Sequence, residues 1–381
     1  MIDQSPLVAR MQGFGTTIFA EMSALALETG SINLGQDFPD TDGPPELLEA
    51  ACAAIRGGQN QYPPGPGVPA LRHAIAAHQR HHYGLDYDPD TEVLVTAGAT
   101  EAIAAALMGL AGPGDEVVVF EPYYDSYAAC IALGGAQRRC VTLERQGDGW
   151  AFDPAALRSA VTARTKAILL NTPHNPTGKV FTRAELTVIA EVAQEHDLIV
   201  IADEVYEHLT FDGLSHLPIA SLPGMRERTV TISSAGKTFS VTGWKIGWIC
   251  APPALLTAAR TVKQFLTYVS GAPFQPAVAA VLGGDLRAPA IALQAQRDQL
   301  CGGLAALGLD VITPQATYFA TVDLGSDAVA FCRELPRRHG VVAIPSSVFY
   351  DSAAGDSYVR FAFCKRPEVL ADALDRLGAA R

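Results

Sequence analysis

From about residue 90 the chain alternates short apolar runs with longer stretches of helical periodicity, and this alternation limits its fold more than any other feature. The runs are Val93–Thr96, Glu116–Phe120, Lys166–Asn171, Leu198–Ala202, Thr229–Ser233 and Ile246–Ala251. Most are apolar at nearly every position rather than at every second one, as expected of strands covered on both faces of a mostly parallel sheet. Helical segments such as Ala99–Leu110, Ala156–Val161 and Arg183–His196 lie between them. Thr182 and Glu185 add a Thr-x-x-Glu capping box ahead of the last of these. The fold class expected is α/β, with a mostly parallel central sheet.

After about residue 285 the pattern changes. A long helix over Ala290–Leu307 leads to short strand candidates at Tyr318–Val322, Val341–Ile344 and Tyr358–Phe363, then to a closing helix at Pro367–Leu377. This reads as a smaller α+β domain over 285–381. The first 40 residues do not fit the alternation and are assigned to an N-terminal arm and part of the small domain, which leaves 41–284 as the large domain. With 381 residues the chain is long for one core and comfortable for two. The Pro- and Gly-rich stretch Tyr62–Pro69 reads as a shaped loop rather than a linker.

Composition removes several function classes. A formal net charge of −12 and the absence of any Lys/Arg run argue against nucleic acid as a partner. No segment has the length of a membrane span, and the N-terminus lacks the pattern of a signal peptide. The cysteines (Cys52, Cys130, Cys140, Cys250, Cys301, Cys332 and Cys364) are scattered without metal-ligand spacing. They read as small core residues in a reducing compartment, so a cytoplasmic protein without a bound metal is expected.

The strongest chemical signal is Ser233-Ser234-Ala235-Gly236-Lys237, followed by Thr242-Gly243-Trp244-Lys245-Ile246-Gly247-Trp248. A lysine just after a buried strand can form an imine with an aldehyde cofactor if its amine is kept unprotonated, and a second cation such as Lys245 would help. Ser234 and Lys245 also suit a phosphate. Asp203, at the end of the most hydrophobic strand, can accept from a protonated pyridine nitrogen, and Tyr206 can reach a phenolate oxygen. Asn175, held before a proline in Asn171-Thr172-Pro173-His174-Asn175-Pro176, offers a rigid amide. Gly98, Ala99 and Thr100 join a strand to a helix N-terminus, where backbone N–H groups attract an anion. Tyr124 can stack on a flat ring. Arg360, inside an otherwise apolar strand, is placed either to fork a carboxylate or to make a structural salt bridge.

Together the motifs GAT-E, EPYYDSY, HNPTG, ADEVY, SAGK, TGWKIGW and RFAF resemble those of class I/II aminotransferases of the fold-type-I pyridoxal-phosphate superfamily, from about Gly13 to Lys365. Asn33-Leu34-Gly35-Gln36, Phe38-Pro39-Asp40 and Asn60-Gln61-Tyr62 look like the kynurenine, methionine and cysteine-conjugate branch. FAEMSALA, NQYPPGPG and SGAPFQPAV are similar to actinobacterial enzymes of the N-succinyldiaminopimelate aminotransferase group. The resemblance implies pyridoxal 5′-phosphate held by Lys237 as a Schiff base, with Asp203 on the ring nitrogen and Tyr206 and Asn175 on the ring oxygen. It places Tyr124 on the ring face, and Gly98, Ala99, Thr100, Ser234 and Lys245 around the phosphate. It also implies a homodimer in which Tyr62 reaches the neighbouring site, and ping-pong transfer between an L-amino acid and a 2-oxo acid. Arg360 and Asn175 would bind the substrate carboxylate, with Gly35, Asp37 and Glu21 on the substrate side.

Asp37 departs from the branch pattern, which has glycine there. Its carboxylate would favour a cationic side chain, guanidino or amino, unless it turns away to cap a local turn. β-Elimination from cysteine conjugates and oxidation are alternative reactions on the same cofactor. A cofactor-sensing transcription regulator of this fold would need a DNA-binding domain and a basic patch, and the sequence has neither.

Overall fold

The computed structural model describes residues 7–15 and 17–379. Residues 1–6, 16 and 380–381, which belong to the arm and closing segments assigned above, lie outside the described residues. Seven strands form the main sheet: β1 (Val93–Ala97), β2 (Glu116–Glu121), β3 (Gln137–Thr142), β4 (Thr165–Asn171), β5 (Ile199–Asp203), β6 (Thr229–Ser234) and β7 (Ile246–Cys250), in the order β1-β7-β6-β5-β4-β2-β3. β2, β3, β4, β5 and β6 pair in parallel, while β7 runs antiparallel between β1 and β6.

Burial on both faces explains the near-continuous apolar runs. Val117 and Val119 of β2 join one hydrophobic cluster, whereas Val118 and Phe120 join another on the opposite face. The sheet is filled from one side by the helix Gly98–Leu110 and from the other by Arg183–Glu195, whose capping box between Thr182 and Glu185 is formed as expected. β3 was not foreseen. It is the edge strand, Gln-Arg-Arg-Cys-Val-Thr, half exposed and without the apolar signature of its buried neighbours.

A second sheet of β8 (Asp310–Ile312), β9 (Phe319–Asp323), β10 (Ile344–Pro345) and β11 (Tyr358–Ala362) is antiparallel, in the order β8-β9-β11-β10. Leu34 and, from the helix α1 (Ile18–Thr29), Met22 and Ala26 pack into the same cluster as this sheet. Ile32–Asn33 pairs in parallel with Val341–Val342.

The register of the main sheet brings its reactive strand ends level. Asn171 is paired with Asp203, Asp203 with Ile232, Ser234 with Gly247, and Ala97 with Ile246. The carboxyl ends of parallel strands are where open α/β sheets leave a crevice for ligands.

Candidate active site

A cavity opens at this edge. Its walls include Gly98, Ala99 and Thr100 from the β1 turn, Asn175 and Asp203 from the ends of β4 and β5, and Ser234, Lys237 and Lys245 from the β6–β7 connection. Tyr124, Tyr206 and Asp37 complete the set. Eleven residues expected from the sequence thus share one space. Tyr127, Asn171, Thr242 and Phe38 line it as well and were not expected.

Lys237 sits in the short helix Ala235–Thr238 directly after β6. Its Nζ stands 2.6 Å from Tyr318 Oη and 3.3 Å from the Asp37 carbonyl oxygen. Burial holds its pKa below the usual lysine value, Asp37 and Asp203 oppose that shift, and Arg360 adds to it. The cation that lowers this pKa is Arg360 rather than the expected Lys245, and desolvation contributes more than it does.

Lys245 forms another part of the wall. It occupies the left-handed backbone region (φ 54) and lies against Gly98, where an added Cβ would stand 3.1 Å from Lys245 Nζ. Gly98 itself has φ +75, which glycine adopts freely. The helix Gly98–Leu110 begins here with no side-chain cap, so its first N–H groups and the Lys245 ammonium, which has no acidic partner among the described residues, converge on one spot. A phosphate matches that donor set.

Asp203 is buried, and burial raises its pKa; Tyr127 works against the shift by donating from its hydroxyl to Asp203 Oδ2 at 2.5 Å. The backbone N–H of Val205 donates to Oδ1 at 3.3 Å. No cation pairs with this carboxylate among the described residues, and a protonated pyridine nitrogen is the partner it lacks. With a donor set that suits an anion, a buried carboxylate without a cation and a buried amine of lowered pKa lining one cavity, the residues fit pyridoxal phosphate.

Arg360 is completely buried on β11. Nη1 donates to Asn175 Oδ1 and Nη2 to the Gly35 carbonyl, both at 3.1 Å, and Nε has no partner. The guanidinium lies 4.0 Å from the centroid of the Phe319 ring. No carboxylate reaches ion-pair distance among the described residues, which removes the structural salt bridge as its explanation. Asn175 is itself fixed by its backbone N–H donating to Asn171 Oδ1 at 2.7 Å.

Four expected residues are not part of the cavity wall: Arg360 and Gly35, which lie behind it joined to each other, and Tyr62 and Glu21. Tyr62 is 82% exposed, with its ring against Tyr268. Glu21 lies on the exposed side of α1, with Arg333 Nε 3.5 Å away. Asp37, in contrast, lines the cavity, and its side chain caps no turn: it makes no hydrogen bond or ion pair among the described residues.

Comparison with known proteins agrees with this geometry. Residues 29–377 match the family model for aminotransferase class I and II. The chain is 54% identical to a probable N-succinyldiaminopimelate aminotransferase of Mycobacterium tuberculosis, over 97% of each chain. It is 40% identical to the methionine aminotransferase of Escherichia coli, over 98% of each. The solved structure of the N-succinyldiaminopimelate aminotransferase from Mycobacterium tuberculosis superposes with a TM-score of 0.97, covering 98% of this chain and 100% of that one. The buried amine, the cradle and the full-length match converge: this chain belongs to the class I and II aminotransferases and is a pyridoxal-phosphate-dependent enzyme.

Proposed function

We propose that the enzyme transfers the amino group of an N-succinyldiaminopimelate-type donor to a 2-oxo acid such as 2-oxoglutarate, in two half-reactions at one site. The observation that carries the amino-acid part of this reading is Arg360, a buried guanidinium with an idle Nε and no carboxylate of its own. The near full-length identity to the mycobacterial relative carries the donor.

When bound, pyridoxal phosphate supplies an aldehyde that takes up the amino group and a protonated ring that draws electron density from the substrate Cα. Lys237 would hold the cofactor through its Nζ and, once that amine is released, would move the proton of the substrate Cα. Asp203, supported by Tyr127, would keep the proton on the ring nitrogen. Tyr206 and Asn175 would bind the ring oxygen, and Tyr124 would cover the ring face. Gly98, Ala99, Thr100, Ser234 and Lys245 would hold the phosphate. Arg360 forks the substrate carboxylate with Asn175 beside it, and Gly35 and Asp37 border the side-chain pocket.

In the same reading the chain divides into an arm at 1–40, a large unit at 41–284 and a smaller one at 285–381, and works as a cytoplasmic homodimer. The exposed group Tyr62, Phe265, Leu266 and Tyr268 supports the dimer, because a contiguous apolar surface of this kind usually meets a partner. Tyr62 would then reach the neighbouring site. No described helix is long and apolar enough to cross a membrane.

Asp37 supports a second reading, a donor with a guanidino or amino side chain, since it lines the cavity and its carboxylate makes no hydrogen bond or ion pair among the described residues. One experiment separates the two. The purified enzyme is mixed in turn with glutamate, methionine, kynurenine, arginine and N-succinyldiaminopimelate, and the absorbance of the lysine-bound cofactor is followed. Rapid loss with N-succinyldiaminopimelate supports the first reading. A response to arginine that disappears in Asp37→Gly supports the second. Release of pyruvate and ammonia from a cysteine conjugate added to the panel would move the reaction to β-elimination.

A further inference from the structure

The helix α2 (Pro69–Tyr83) carries His73, His78, His81 and His82, and the chemistry above uses none of them. His78 and His82 are four residues apart and so share one face of the helix. His208 meets that face from the turn after β5, two residues beyond Tyr206. The three rings form a nearly regular triangle, with centroids 4.7, 4.9 and 5.0 Å apart. One nitrogen from each lies within 4.8 Å of the others. We propose that His78, His82 and His208 bind a divalent transition metal, zinc in the first instance, with water in the fourth position.

The distances suit such an ion. Zinc–nitrogen bonds of about 2.0–2.1 Å at tetrahedral angles set ligand nitrogens about 3.3 Å apart. His78 Nε2 and His208 Nε2 are 2.6 Å apart, so a small rotation of either ring opens the required space. A shared proton would account for that pair alone. It leaves His82, at the exposed rim, with ring contacts and no hydrogen bond among the described residues.

Two neighbouring groups point the same way. Glu207 is buried and close enough to act electrostatically on all three imidazoles. Its Oε1 accepts from Ser233, whereas its Oε2, faced by Tyr83, makes no well-formed hydrogen bond, and no lysine or arginine pairs with it among the described residues. A buried carboxylate without a cation is costly, and a dication on the imidazoles would supply the charge. Gln79 Oε1 is also buried without a partner, while its Nε2 lies 3.4 Å from His78 Nδ1. Turning that amide over lets Oε1 accept from Nδ1–H and frees Nε2 for the metal, the outer arrangement that metal-bound histidines use. The ion would tie the end of α2 to the turn that follows Asp203 and Tyr206.

The test uses chelator-treated, dialysed holoenzyme, titrated calorimetrically with zinc chloride, and with cobalt(II) to read its d–d absorption. One equivalent of zinc per chain, a rise in melting temperature and a tetrahedral cobalt spectrum are expected. His82→Ala, at the exposed rim, should keep the fold and cofactor absorbance yet lose affinity by at least about tenfold, the least that losing even an outer partner of a metal ligand does. His208→Gln should do the same. No uptake at micromolar zinc, or uptake unchanged in both variants, overturns the site.

Discussion

Lys237 Nζ lies 2.6 Å from Tyr318 Oη, and that hydroxyl in turn donates to the Asp37 carbonyl at 2.6 Å. The reactive amine is therefore aimed by a phenol from the small sheet and a carbonyl from the N-terminal segment. Tyr318→Phe removes both hydrogen bonds of this hydroxyl, and the one to the amine alone, about 0.5–1.5 kcal/mol, should lower kcat/KM roughly 2- to 13-fold with the cofactor retained. Steady-state kinetics alongside Lys237→Ala, which should be inactive, would check this; an unchanged rate would make Tyr318 a bystander.

Arg360 offers a sharper measurement. Arg360→Ala should lower kcat/KM for the amino acid by about 2–5 kcal/mol, roughly 30- to 5,000-fold, as truncation of one partner in a buried charged pair does. A melting curve taken in parallel separates binding from folding. A loss under about 1 kcal/mol would assign the residue to the scaffold.

At Gly98 the expectation concerns the cofactor. Alanine would have to hold φ +75, a penalty of about 1–2 kcal/mol for an L-residue, and its Cβ would press on Lys245 at 3.1 Å. Gly98→Ala should bind pyridoxal phosphate about tenfold more weakly or worse in an apoenzyme titration. Equal affinity would place the phosphate elsewhere.

His174 makes a prediction about pH. It is buried beside Thr177, and burial first, then Lys179, lowers its pKa to about 3. The unfolded chain takes up a proton below about 6.5 that the folded chain refuses until about 3, so stability falls as pH drops through this window. At pH 5 the loss is about 2 kcal/mol. Urea unfolding at pH 7 and pH 5 should show a drop smaller by that amount in His174→Gln than in the parent; identical drops would contradict it.

What could be read from the chain without its structure follows burial. The strands β1, β2 and β4 to β7 announced themselves because both faces are covered, whereas β3 and β8 are short or half exposed and have no comparable pattern. Lys237, Asp203 and Asn175 stood out because each ends or closely follows an apolar run in a distinctive local motif. Tyr127 and Tyr318 were not singled out, since their roles depend on contacts 76 and 81 residues away along the chain. Tyr127 did stand inside the Glu121–Tyr127 motif, and a search for hydroxyls beside buried acids would have marked it. The histidine triangle shows the same limit. His78 and His82 display helical spacing in the sequence, but only the fold delivers His208.

The two acceptors of the Lys237 amine are 200 residues upstream and 81 residues downstream of it. A ribosome that has just released Lys237 has therefore made an unaimed lysine. Its orientation is completed only after Tyr318 has been synthesised and docked against the N-terminal segment, so the amine takes its final aim late, in the finished chain.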